Sequence, residues 1–202
     1  MQLLHIDSSI TGAQSVSRQL TAGAVARLKQ ASPGLSVTYR DLAAQPVPQQ
    51  SPSLLVAKGG VAVDAAVTND VAATEAVLDE FLAADIVVVG APMYNFGIPS
   101  QLKAWIDCLA VAGKTFSYDA SGVRGLAGGK RVIIASSRGG FYSAPSPMAS
   151  LDHQESFLAG FFGFIGVTDI SFVRAEGVNV SPEQRETALA AALAEATTLK
   201  AA

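Results

Sequence analysis

A single cysteine, Cys108, stands among the 202 residues, so no internal disulfide can form and no thiolate cage for zinc can be assembled. That usage fits a reducing compartment. Cys108 falls on a helical pattern, where a small core or interface filler is the ordinary role. Histidine is nearly absent too: His5 lies inside an apolar strand pattern as a core or edge residue, and His153 sits on a helix with no assigned role, so no metal site is expected. Charged residues make up only 15 % and the net charge is −3, which leaves no basic footprint for nucleic acid. The thin surface charge fits burial in an oligomer. No long hydrophobic run occurs either; the longest, residues 157–167, is well short of the ~18 residues a membrane span needs. The opening MQLLHIDSS carries no basic n-region and turns polar after Ile6, so it reads as a first strand and not a signal peptide. A soluble, cytoplasmic protein without membrane partners is the expectation. Also missing are GxxxxGK, GxGxxG and GxSxG, which argues against a nucleoside triphosphate site, a Rossmann dinucleotide site and a serine hydrolase elbow.

What is present is an alternation of strand and helix patterns over a length suited to one domain, residues 1–202. Residues 3–7 read as a strand, and residues 15–31 repeat apolar side chains at Val16, Leu20, Ala24 and Leu28, a helical spacing. Pro33 and Gly34 end that helix before a strand around Val37 and Tyr39. Residues 43–60, rich in proline and glycine, read as loop. A helix is expected over 71–85, followed by an apolar run at 86–90 that does not alternate, the mark of a parallel strand buried on both faces. Pro99 should occupy the first turn of a helix reaching toward Gly113, and residues 114–129 should form a turn-rich loop or small hairpin. Strands at 131–136 and 170–174, a helix at 151–164, and a last helix opened by Ser181, Pro182 and Gln184 complete the pattern. The fold class is α/β, flavodoxin-like: a five-stranded parallel sheet of order 2-1-3-4-5 with helices on both faces.

Ligands of such sheets bind beyond the carboxyl ends of the strands, which directs attention to three loops. The first, SSITGAQSVS at 8–17, places Ser8, Ser9, Ser15 and Ser17 around a helix start, where free N–H groups and the helix dipole suit a phosphate. Ser15 taken alone reads first as a helix cap; the four serines with Thr11 and Gly12 in ten residues turn the reading toward an anion site. The second, PMYNFGIPS at 92–100, puts Met93, Tyr94, Asn95 and Phe96 on a connection, suited to covering something flat and apolar or to packing beneath the loop. In the third, Ser137, Arg138, Gly139 and Gly140 combine backbone amides with room for close approach; paired glycines also make an ordinary turn. Together the loops suit a phosphorylated flat cofactor.

The stretches HIDSSITGAQSVSRQL, APMYNFGIPSQLKAWID, GKTFSYDASGVRGL and ASSRGG resemble the bacterial FMN-dependent NADH azoreductases, which also act as NAD(P)H:quinone oxidoreductases, and the resemblance runs over essentially the whole chain. It implies bound FMN, NADH or NADPH as reductant, quinone and azo substrates, ping-pong two-electron turnover, and a homodimer with sites at its interface. It also implies roles. Ser9, Ser15, Val16 and Ser17 would hold the phosphate; Pro92, Met93, Tyr94, Asn95 and Phe96 would line the isoalloxazine. Ser137, Arg138, Gly139 and Gly140 would meet the pyrimidine end, and Phe96, Tyr118 and Phe161 or Phe162 would wall the substrate. No side chain is expected to be catalytic, since the chemistry centres on the flavin. Cys108 and the segment Phe141-Tyr142-Ser143 depart from the family pattern, so substrate preference does not transfer. A flavodoxin-type electron carrier is the rival reading, and a phosphorelay receiver is disfavoured because Gly90-Ala91-Pro92 offers no acceptor aspartate.

Overall fold

The computed structural model of the protein describes residues 1–120 and 122–200. Strands β1 (Gln2–Asp7), β2 (Ser36–Asp41), β3 (Ile86–Pro92), β6 (Arg131–Ser137) and β7 (Asp169–Ala175) form one parallel sheet of order β2-β1-β3-β6-β7. This is the expected order, with β6 and β7 as the fourth and fifth main-sheet strands. The two numbers between belong to a separate antiparallel hairpin, β4 (Phe116–Asp119) and β5 (Gly122–Gly125).

The strands are apolar on both faces because each face is covered by helices. Leu4, Ile6, Val87, Val89, Val132 and Ile134 point into one core with Phe81, Trp105 and Phe162, beneath α3 (Ala65–Ala83), α4 (Ser100–Leu109) and α5 (Glu155–Phe164). Their neighbours Leu3, Val88, Ile133 and Val173 point the other way, against α1 (Val16–Ala31) and α6 (Pro182–Ala196). This alternation is the two-residue period of a strand. β2 lies at the edge and is partly exposed.

Boundaries differ from expectation where packing gives no periodic signal. Within 43–60 a short helix, α2 (Pro52–Lys58), forms; it buries only Leu54, so no stripe marks it, though Ser51 caps it and Pro52 opens it. Helix α3 begins before Val71 because Asp64 accepts from Val67 N at 2.9 Å, and its first turns are solvent-facing. Pro99 is the N-cap residue of α4 rather than part of its first turn, and α4 stops at Leu109, whose carbonyl receives the Thr115 hydroxyl at 2.6 Å. Helix α5 starts only at Glu155, after a 3-10 turn at Ala149–Leu151, with Asp152 accepting from the Gln154 and Glu155 amides. Ser181 caps α6 by accepting from Gln184 N at 3.1 Å. The Gln184 side chain does not close the capping box; it donates to Glu176 O.

The hairpin is fixed at its root by two glycines in backbone contact. A Cβ on Gly125 would lie 2.2 Å from Gly166 N, and Ala127 N donates to Ile165 O at 2.8 Å. Among the described residues no helix is long and apolar enough to cross a membrane. Cys108 is buried, and burial pushes its thiol pKa up, which keeps the thiol protonated in its filler position.

Candidate functional site

The loops after β1, β3, β6 and β7 meet at one rim of the sheet, around a cavity of about 290 Å³ lined by Ser9, Thr11, Gln14, Ser15, Val16, Pro92, Met93, Tyr94, Ser137, Gly139, Val178, Asn179 and Arg185. Ser15 caps α1 by accepting from Arg18 N and also shares a 3.0 Å hydrogen bond with the buried Ser17 hydroxyl. Cap and anion site are therefore compatible roles of one residue. Among the described residues no acceptor engages the Val16 or Ser17 amide, so the first turn of α1 keeps free donors at its positive end. Ser9 faces the same space, linked to Thr11 Oγ1 at 3.0 Å and Tyr94 OH at 3.3 Å. Ser8 does not join them: its hydroxyl donates to Gly90 O at 2.6 Å, turned into the sheet.

Beneath this end sits a polar cluster. Arg18 grips Asp41 with both Nη atoms at 2.7 Å and donates to Ser9 O from Nη2 at 2.8 Å. The Arg18 hydrogen bond holds the Asp41 pKa down. Buried Asp7 accepts from Thr21 Oγ1 at 2.8 Å and Tyr39 OH at 3.0 Å; burial first, then the Asp7 charge, pushes the Tyr39 phenol up to about 12. Gly90 makes room for this carboxylate, since a Cβ there would lie 2.8 Å from Asp7 Oδ1.

At the opposite end, Met93 N donates to Ser137 O at 2.8 Å and Tyr94 exchanges backbone hydrogen bonds with Gly97 at 3.0 and 3.1 Å. The turn between them holds Asn95 at φ 48° and Phe96 at φ 70°. Left-handed backbone is common for asparagine but strained for phenylalanine. The Phe96 ring is exposed and stands edge-on to Tyr142 with centroids 6.2 Å apart. The Gly139 and Gly140 carbonyls are spent on Asn179 N and Gly177 N. Their amides find no acceptor among the described residues, so both remain available to an electron-rich ring edge. A Cβ on Gly139 would lie 2.9 Å from Asn179 Nδ2, and one on Gly140 would meet the Tyr142 ring at 3.4 Å. A side chain at Gly139 would need Asn179 to turn aside, whereas one at Gly140 would rest in ordinary contact with Tyr142.

Arg138 corrects a sequence expectation. Its side chain is 1 % exposed and points away from the cavity into three carboxylates: Asp152 at 2.9 Å, Glu155 at 2.5 Å and Glu176 at 3.0 Å. Its backbone is engaged as well, the amide donating to Ala175 O at 2.9 Å and the carbonyl accepting from Val178 N at 3.1 Å. Nε adds hydrogen bonds to Ser136 Oγ and Gln154 Oε1, both at 3.2 Å, and Gln154 Nε2 donates to Ala91 O at 2.6 Å. Glu176 in turn accepts from the Tyr142 and Ser143 amides at 2.8 and 3.0 Å. Burial works to raise the Glu176 pKa, but these hydrogen bonds and Arg138 outweigh it, and the net shift is downward.

Of the candidate substrate walls, Phe96 and Tyr118 are exposed, Tyr118 by 73 % on the hairpin. Phe162 is fully buried against Phe81 and cannot line a pocket; Phe161, edge-on to it at 5.7 Å, is partly buried. A second, open groove of about 1060 Å³ runs beside the 94–97 turn, lined by Ile10, Tyr94, Asn95, Ile98, Lys103, His153 and Phe157 among others. Gln14, Asn179 and Arg185 went unread in the sequence. Two of them arrive from the far end of the chain, and no local pattern announces them.

Hydroxyls and free amides at one end, an aromatic turn between, and free glycine amides at the other fit the phosphate, ring and pyrimidine edge of FMN. Fold and donor set together define a flavodoxin-like protein, and a family model described as flavodoxin-like fold matches residues 1–199. The chain is 58 % identical over 202 residues to the FMN-dependent NADH:quinone oxidoreductase 2 of Bradyrhizobium diazoefficiens, with 100 % of both chains covered. The crystal structure of azoreductase from Bacillus anthracis superposes with TM-score 0.88 at 32 % identity, covering 98 % of this chain and 97 % of that one. An FMN-dependent NADH-azoreductase from the same species, solved in complex with FMN, gives TM-score 0.87 at 25 % identity over 100 % of both chains. Within the flavodoxin-like proteins, this chain belongs to the bacterial FMN-dependent NADH:quinone oxidoreductase and azoreductase family.

Proposed function

We propose that residues 1–202 form one FMN-binding domain that oxidises NADH or NADPH and passes the electron pair to quinones, and in two rounds to azo compounds, in a ping-pong cycle. FMN, when bound, supplies the two-electron exchange between nicotinamide and acceptor. The protein's part is to hold and orient. Ser9, Ser15 and Ser17 with the Val16 and Ser17 amides take the phosphate. Pro92, Met93, Tyr94, Asn95 and Phe96 support the ring, and Ser137 with the amides of Gly139 and Gly140 donates to the pyrimidine edge, where negative charge accumulates on reduction, while Arg138 holds that loop in place through Ala175 O and its carboxylate partners. Phe96, Tyr118 and Phe161 are the substrate walls that remain after burial removes Phe162. The observation that carries this reading is the pair of unengaged amide sets, Val16/Ser17 and Gly139/Gly140, at opposite ends of one crevice.

The working unit is a cytoplasmic homodimer. Ile10, 69 % exposed, and the apolar side of the large groove at Ile98 and Phe157 favour a covered surface beside the site. Purified protein should be yellow and should oxidise NADH steadily with a quinone and with an azo dye, giving parallel double-reciprocal lines. Bound FMN without acceptor-dependent NADH oxidation would turn the assignment over to an electron carrier. Protein that neither carries nor takes up FMN would defeat both readings.

A further inference from the structure

A phosphate dianion withdrawn into a cavity of about 290 Å³ needs more than dipoles to offset its lost hydration. Arg18 is the cation nearest in sequence to the hydroxyl cluster, but its guanidinium is already occupied by Asp41 and Ser9 O. Its charge is cancelled where it stands.

Arg185, on α6, also lines the cavity. One Nη donates to the Gln14 carbonyl, the backbone just ahead of the Ser15 cap. Among the described residues no carboxylate forms an ion pair with it. A guanidinium has five N–H donors, so most of its capacity and all of its charge remain unspent. Its position is also wrong for its own helix. Ser181 is the N-cap residue of α6, which places Arg185 near the positive end of the helix dipole, where a cation is mildly unfavourable. An anion bound against the first turn of α1 would reverse that cost. Ser15 and Val16 from the start of α1 and Arg185 from the first turns of α6 line the same cavity, so that one anion there would face both.

We infer that Arg185 is the counter-charge of the FMN phosphate and that it makes the site prefer FMN over riboflavin. The inference rests on the FMN reading, and its test separates the two. Full-length protein freed of flavin is titrated with FMN and with riboflavin, following quenching of flavin fluorescence, for wild type, Arg185→Gln and Arg185→Lys. Arg185→Gln should weaken FMN by about tenfold, the low end for a charge-assisted hydrogen bond because the side chain is only half-buried. Its riboflavin affinity should stay within about twofold of wild type, since only the charged ligand senses the charge. Arg185→Lys should recover much of the loss, and rising salt should weaken FMN more in wild type than in Arg185→Gln. Equal losses for both flavins, unchanged FMN affinity, or a lysine variant no better than glutamine would overturn the inference while leaving the FMN reading intact. Wild type that binds neither flavin would overturn both.

Discussion

Each end of the crevice stands on an arginine that grips protein rather than ligand, and the two grips differ in reach. Arg18 holds Ser9, Asp7 and Asp41, all within the first β-α-β unit, and keeps 16 % of its side chain exposed. Arg138 is 1 % exposed and gathers Asp152, Glu155 and Glu176 from the start of α5 and the end of β7. The hydroxyls and amides of the proposed phosphate end therefore come preset by one helix start, and only Val178, Asn179 and Arg185 reach that cavity from the far end of the chain. The ring end is assembled from distant segments and depends on a buried ion cluster to stay in register.

The contrast is broken most directly at Arg138. Arg138→Met leaves three carboxylates around an apolar side chain and should destabilise the fold by ~3–5 kcal/mol, the range for stripping one partner from a buried ion pair. Urea unfolding would check this, and a variant as stable as wild type would mean that the cluster relaxes into solvent. At the other end the losses should fall on binding. Ser17→Ala should weaken FMN by ~1.5–3 kcal/mol in a flavin titration with an unchanged melting temperature. Ser15→Ala should show a similar binding loss together with about 1 kcal/mol of lost stability, because that hydroxyl also caps α1. If both variants melt alike, the cap contributes nothing. The smallest effect is expected at Phe96→Gly, which relieves the left-handed strain and should stabilise the flavin-free protein by about 1 kcal/mol. Turnover with quinone should fall at the same time, and a variant matching wild type in both would remove Phe96 from the substrate wall.

What could be read in the sequence follows the same division. The serines around α1 and the aromatic turn are local patterns, the helical and strand periods mark the elements directly, and the sheet order follows as the simplest arrangement of strands alternating with helices. The orientation of Ser8 was not readable, because it depends on the Gly90 carbonyl of the neighbouring strand. The resemblance places Arg138 at the pyrimidine end with Ser137, Gly139 and Gly140; only the return of Asp152, Glu155 and Glu176 to that point shows its charge to be consumed inside. Phe161 and Phe162 are adjacent in an apolar run, and which one reaches the surface is fixed by the rotation of α5 against Phe81. Helix α2 escaped notice for want of a buried stripe.

The junction of Gly125 with Gly166 sets main chain directly against main chain at the base of the β4–β5 arm, where even a methyl group would collide. Tyr118, out on that arm, meets no comparable constraint. A side chain exchanged at Tyr118 therefore leaves the main-chain contact at the root untouched, whereas one added at Gly125 would pry the arm from the body of the protein.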